Sequence, residues 1–325
     1  MLRLRRGRPL PRLRDRGGVH PRQRSAEAVS VKRALLLLPF VAGCLSFHRG
    51  PMPGEPPGAT FAEIDGVRLR YRDGGSGPAV VLLHGFASSL ETWLGLIPEL
   101  ERDHRVIALD LKGFGWSDRP EGDYSPAAQA RLVLSLLDRL GVGEFDLAGH
   151  SWGCSVALAL ALEAPRRVRR LALYDAWVFS DQLPTFFHWS RAPGVGEALF
   201  ALFYNERPAE KLELAFFDPD AVPETLVEEV ERALARPGTR AAALQAVRGQ
   251  RFEEMEDRYR EVRQPVLLLW GREDAVSPVS VGERLLRLLP DARLRIYPRA
   301  GHFPMIEAGA DSTRDLARFF SGGEP

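Results

Sequence analysis

Residues Asp146–Cys154 read D-L-A-G-H-S-W-G-C. Apolar residues lead up to Ser151 and a helix-like stretch, Ser155–Leu162, leads away from it. The serine therefore sits where a strand becomes a helix. Gly149 and Gly153 stand two residues to either side, the G-x-S-x-G spacing of a nucleophile elbow. Glycines let the backbone bend tightly and let helix and strand approach. Ser151 would then project from the tip of the turn. The Trp152 amide would lie at a helix N-terminus, where N–H groups lack helical partners and favour negative charge.

Outward from this turn, short apolar runs alternate with helical patterns. Upstream, Phe61–Asp65 and Val67–Arg72 flank the turn Asp65-Gly66 as a hairpin. Ala79–Leu83 and Arg105–Leu109 are continuous apolar runs, as strands buried on both faces of a parallel sheet are. Leu90–Arg102 and Pro126–Leu140 read as helices. Around the elbow, the spacing predicts a strand over Phe145–Ala148, a helix over Ser151–Glu163 and a strand over Val168–Tyr174. Downstream come strands at Pro265–Trp270 and Leu294–Tyr297 and helices at Val279–Leu289 and Ser312–Phe320. The alternation predicts an α/β fold with a mostly parallel sheet covered by helices on both faces, built from residues 59–176 and 262–325. Residues 177–261 break the rhythm: no strong strand, several helical segments, and ten aromatic residues between Trp177 and Phe217. They read as a helical insertion.

Ligands of open α/β sheets bind beyond the carboxyl ends of the strands, so the chemistry is sought there. A serine nucleophile needs a base. Of seven histidines, His302 follows a strand in the Gly-flanked loop R-A-G-H-F-P. His20 and His48 lie in the N-terminal tail, His104 in a charged turn expected at the surface, and His188 in the insertion, where it is expected to pack. His150, inside the elbow, should point away from substrate. Asp274, directly after an apolar strand, is the acid expected to orient His302; Asp175, which also ends a strand, is its rival. His84-Gly85-Phe86 follows another strand, and the Phe86 amide would converge with that of Trp152 as an oxyanion hole. His84 is expected to hydrogen-bond beneath that loop. No His pair or carboxylate cluster has metal-ligand spacing, so neither metal nor cofactor is expected.

These segments resemble the α/β-hydrolase superfamily over roughly Ala59–Phe320. The matches are H-G-F at 84–86, D-L-K-G-F-G-W-S at 110–117, G-H-S-W-G at 149–153, G-R-E-D-A-V-S-P at 271–278 and G-H-F-P-M-I-E at 301–307. The resemblance implies the chain order Ser151, Asp274, His302 for a catalytic triad, and residues 177–261 as a cap over it. It also sorts the chemistry. Haloalkane dehalogenases and epoxide hydrolases carry Asp where Ser151 stands. Proline iminopeptidases have a motif like H-G-G-P-G where this chain has H-G-F-A-S. Cofactor-free haloperoxidases generally have Met after the serine and little cap. What remains is hydrolysis of a small-molecule carboxylic ester with an apolar group, with C–C bond hydrolysis as the alternative. A receptor-like, non-catalytic use of the fold is the reading from a different class.

The formal net charge of +1 leaves no electrostatic footprint for nucleic acid. The two cysteines, Cys44 and Cys154, do not make a disulfide framework in a chain of 325 residues. Cys154 is expected to pack as a small hydrophobe. Residues 1–30, rich in Arg, Pro and Gly, read as disordered, or as untranslated if Val31 is the true start. Residues 31–58 read as a signal and tether. Lys32 and Arg33 precede an apolar run over Ala34–Ala42, and Val41–Cys44 (V-A-G-C) resembles the lipobox of bacterial lipoproteins. The expectation is a lipid-anchored protein of the bacterial cell envelope, attached through Cys44, with a cytoplasmic enzyme as the alternative. Gly50–Gly58 is expected to be a flexible tether. Oligomeric state is not legible.

Overall fold

The sheet begins with the hairpin β1 (Thr60–Ile64) and β2 (Val67–Gly75). It continues with β3 (Ala79–Leu83), β4 (Arg105–Leu109), β5 (Phe145–His150), β6 (Val168–Tyr174), β7 (Val266–Gly271) and β8 (Ala292–Tyr297). The computed structural model describes residues 45–205 and 208–323. The expected tail, the signal segment and Cys44 lie outside the described residues. The eight strands run in the order β1-β2-β4-β3-β5-β6-β7-β8. The hairpin pairs antiparallel onto β4, and every pairing from β4 to β8 is parallel. β3 and β5 are buried at every residue, which is why their sequences lack the alternation of a half-exposed strand. β8, at the edge, does alternate.

Successive side chains of a strand face opposite sides of a sheet, and the core divides accordingly. Val81, Leu83, Ile107 and Leu109 join one apolar cluster, while Val80, Leu82, Val106 and Ala108 join the other. Before the insertion stand α1 (Ile97–Leu100), α2 (Pro126–Arg139) and α3 (Trp152–Glu163). Ser125 caps α2 by accepting from the Ala128 amide, and Pro126 occupies its first turn. Val133 and Leu137 of α2 share the first cluster with Leu158 of α3. Between β6 and β7 lie α4 (Thr185–Ser190), α5 (Val195–Phe203), α6 (Pro208–Ala215), α7 (Glu224–Ala235) and α8 (Thr239–Gly249), with no strand among the described residues there. After β7 come α9 (Val279–Leu288), α10 (Pro304–Glu307) and α11 (Gly309–Phe320).

Two expectations are corrected. The helix over Leu90–Arg102 is broken into a 3₁₀ turn at Leu90–Trp93 and the short α1. Gly95 weakens the middle of that stretch, and Pro98 fits only the first turn of a new helix. Gly50–Gly58 is not a loose tether. The Gly50 amide donates to Asp118, Glu55 takes a two-pronged bond from Arg68, and Met52 is buried.

Asp110, first residue of the D-L-K-G-F-G-W-S segment, holds the β4 end to its surroundings. It is fully buried, and its two oxygens accept from the Leu90 and Trp116 amides at 2.8 Å each. Arg70 of β2 reaches it at 3.3 Å. Gly115 has φ 52°, and a Cβ there would lie 2.1 Å from the Asp110 carboxyl carbon, so only glycine lets the loop close over the carboxylate. Replacing Asp110 leaves two buried amides without an acceptor and takes from half-buried Arg70 one of its two carboxylate partners, the other being Glu91 at 2.7 Å. Asp110→Ala is expected to cost about 3–5 kcal/mol, read as a lower urea midpoint at unchanged slope. Asp110→Asn, which keeps one acceptor oxygen, is expected to cost less.

Candidate active site

Ser151 follows β5 and caps α3 with φ 52° and ψ −121°, a backbone state that an L-residue holds only under constraint. Its amide donates to the Tyr174 carbonyl at 2.9 Å, and its carbonyl accepts from Cys154 at 3.0 Å and Trp177 at 3.1 Å. The flanking glycines are required by contact. A Cβ on Gly149 would lie 2.8 Å from the Gly153 carbonyl oxygen, and one on Gly153 would lie 2.4 Å from that of His84. The His84–Phe86 loop is packed directly on the elbow: a Cβ on Gly85 would sit 3.1 Å from that of Ser151.

His302 and Asp274 stand on the loops that follow β8 and β7. The His302 Nδ1–H donates to Asp274 Oδ2 at 2.8 Å. Asp274 Oδ1 accepts from the Val276 and Ser277 amides at 2.7 and 2.9 Å. Burial opposes the charge of Asp274, but His302 and these donors hold its carboxyl below the usual range. The His302 amide donates to the carbonyl of Ala215, the last residue of α6, at 2.6 Å. The insertion is thereby bonded to the histidine loop.

Two residues do work that sequence reasoning missed. His150 is buried in the elbow, and desolvation, then the neighbouring His302, push its pKa down to about 3. It is neutral, and its Nε2–H donates to the His302 carbonyl at 2.8 Å. The second is Asp175, read from sequence as a rival to Asp274. The structure places both at one spot. The polar atoms of Asp175, Asp274 and His302 lie within 4.8 Å of one another. Asp175 has φ 44°, is fully buried, and accepts from the Gly271 amide at 2.9 Å. Burial and then the charge of Asp274 push its carboxyl well above the usual range. Two carboxylates this close and this dry oppose each other's charge, and of the two it is Asp175 whose surroundings favour the neutral acid. Parallel strands β6 and β7 are neighbours, and that adjacency brings the two ends together; the sequence alone does not show it.

The remaining candidates fall as follows. His84 donates from Nδ1 to Gly85 at 2.7 Å and accepts from the Leu111 amide at Nε2 at 3.0 Å, beneath the loop. Cys154 is buried, with its thiol toward the Tyr174 carbonyl. His104 is buried rather than at the surface, and His188 is exposed rather than packed. Ser151, His302, Phe86 and Trp152 line one cavity of about 520 Å³. The insertion closes it with Trp177, Phe186, Phe187, Phe203 and Tyr204, and adds Lys211 and Gln250.

The model of the alpha/beta hydrolase fold family matches residues 78–309. A 2-hydroxy-6-oxo-2,4-heptadienoate hydrolase of Pseudomonas putida is 31% identical over 254 residues, 74% of this chain and 88% of its own. Among solved structures, a thermophilic esterase from Thermogutta terrifontis superposes with TM-score 0.70 at 28% identity, covering 81% of this chain and 99% of the esterase. A bacterial membrane phospholipase A superposes with TM-score 0.63 at 28% identity, covering 90% of each chain. The chain belongs to the α/β-hydrolase superfamily.

Proposed function

We propose that this hydrolase cleaves carboxylic esters of apolar small molecules through an acyl-enzyme on Ser151. The observation that carries the reading is the hydrogen-bonded His302–Asp274 pair bordering the same apolar cavity as Ser151. The Ser151 oxygen attacks the ester carbonyl carbon while His302 Nε2 takes its proton. The negative oxygen of the tetrahedral adduct is held by the Phe86 and Trp152 amides. The C–O bond then breaks, and His302 returns the proton to the departing alcohol. Water, deprotonated by His302, releases the acid and restores the serine. Asp274 keeps the imidazole in the tautomer with hydrogen on Nδ1 and stabilises its cation.

A second reading, hydrolysis of a C–C bond in a ketone-bearing dienoate, is supported by the Pseudomonas putida relative. Lys211 on the cavity wall would supply a cation for a substrate carboxylate. Turnover of p-nitrophenyl esters of increasing chain length, run beside a vinylogous diketone acid, separates the two. The ester reading expects ester turnover to dominate.

A fluorophosphonate probe is expected to add once to the wild type and not at all to Ser151→Ala. That variant should also lose at least about 10³-fold in kcat on p-nitrophenyl butyrate. Unchanged mass in the wild type, or labelling that survives in the variant, rejects the mechanism.

Asp175 is proposed as a positioning residue that acts through Asp274. Asn can accept from Gly271 and donate to Asp274 as the neutral acid does, and it tolerates positive φ. Asp175→Asn is therefore expected to keep kcat within a few-fold and leave the pH–rate profile in place. Asp175→Ala, which deprives Asp274 of a donor, is expected to lose roughly tenfold in kcat and shift the acid limb upward. An acid limb moved by Asn would mean that Asp175 works as an anion.

For location, we propose attachment to the bacterial cell envelope through lipidated Cys44. Cells fed a clickable fatty acid should label the wild type and not Cys44→Ala.

A further inference from the structure

α5 is unusual for a helix at the surface. Such helices set charged or polar residues against solvent, as α7 does with Glu228, Glu231 and Arg232. The sequence of α5 is V-G-E-A-L-F-A-L-F. Its one charge, Glu197, is half-buried and paired with Arg248 of α8. Phe200 is packed inward. What α5 shows to water is Val195 (47% exposed), Leu202 (60%) and Phe203 (48%), with half-buried Leu199 between them. This spacing, i, i+4, i+7, i+8, is one stripe along the helix. Trp189 of neighbouring α4 is 62% exposed. Among the described residues, six of the seven strongly exposed large hydrophobics lie in the insertion, so the pattern is concentrated and not the usual scatter.

We propose that the outer face of α5 is a lipid-contacting surface that sets the mouth of the cavity on a membrane, so that ester substrates enter from the lipid phase. Two further observations select a bilayer as the occupant. Phe203 belongs both to the exposed stripe and to the lining of the cavity, so the apolar surface continues into the site. The apolar run Ala34–Ala42 leads into the described chain at Leu45, which packs on the cluster of Phe200 and Tyr204. From there the chain is pinned: His48 and Arg119 exchange backbone hydrogen bonds at 2.9 Å. The described chain therefore starts beside the cluster that holds Phe200 of α5. No helix among the described residues is long and apolar enough to cross a membrane, and a stripe of this kind suits a helix lying in the interface. A second copy of the chain, the other candidate occupant, is an outcome of the test below.

Only the choice of ester substrate rests on the function proposed above; the surface itself does not. The test uses the full chain carrying Cys44→Ser and Leu202→Cys with a polarity-sensitive fluorophore. Cys154 is fully buried and does not compete for the label. Glu144→Cys is the control: it is exposed and precedes β5, at the end of the strands opposite the site. With vesicles of mixed zwitterionic and anionic phospholipid, the label at 202 should shift to the blue and be quenched by nitroxide lipids. The label at 144 should stay aqueous. A chain that floats with vesicles while its 202 label stays aqueous, or that does not float, overturns the proposal. So does a 202 label shielded before vesicles are added: concentration dependence would assign the face to a second copy, and loss of shielding on deleting residues 34–41 would assign it to that segment. The double variant Val195→Glu/Leu202→Glu should lose roughly tenfold or more on a long-chain ester presented in vesicles. Its turnover of dissolved p-nitrophenyl butyrate should match the wild type. An equal loss on both substrates counts against the surface. If the wild type turns over neither, the ester reading fails while the fluorophore result still decides the surface.

Discussion

The turn at Ser151 is the constraint on which the rest of the site depends. A positive φ at a serine is uphill by about 1–3 kcal/mol, and the fold holds it from three sides. The Tyr174 carbonyl takes its amide, Trp177 and Cys154 take its carbonyl, and two glycines admit neighbouring backbone at distances no Cβ allows. Those partners belong to β6, to the start of the insertion and to α3. A change in any of them therefore reaches the serine through main-chain bonds, whose positions do not relax as side chains do.

The acid side of the site is held by burial instead of strain. His302 is fixed at its ring by Asp274, at its amide by Ala215 and at its carbonyl by His150. His150 can serve only because burial keeps it neutral; a charged imidazole there would repel the cation that the proposed mechanism forms on His302. Asp175 follows the same logic with the opposite sign. Charged, it would compete with Asp274. Neutral, it leaves the negative charge of Asp274 to face the histidine. The dry interior thus favours the neutral form of both groups before any substrate arrives.

Much of this was legible because the strands are buried on both faces. Continuous apolar runs mark β3 and β4, and each candidate residue lay just past a strand. Contacts between residues far apart in sequence were not legible. Nothing in L-Y-D at 173–175 tells that Asp175 meets Asp274, because that depends on β6 lying beside β7. The Gly- and Pro-rich stretch at 50–58 reads as loose because its partners, Asp118 and Arg68, lie 68 and 13 residues away. His104 and His188 exchanged their expected environments for the same reason: burial is decided by what packs on a turn, and a turn's own residues do not record it.

The insertion walls the cavity that Ser151 and His302 line, and it is coupled to the candidate site at two points. Phe86 is the first. Its backbone belongs to the loop packed on Ser151, while its ring stands 5.5 Å from Phe187 and 6.5 Å from Tyr204 of the insertion and 5.4 Å from Phe114 of the core. The second is the bond from the His302 amide to Ala215. Movement of α6 or of the aromatic wall would be felt at the histidine and at an expected oxyanion donor together. On the ester reading proposed above, an apolar acyl chain filling the cavity would press on that wall, so binding energy from parts of the substrate remote from the reacting carbonyl could be spent on aligning the groups that act on it. Chain-length preference, on this argument, appears in kcat as well as in KM.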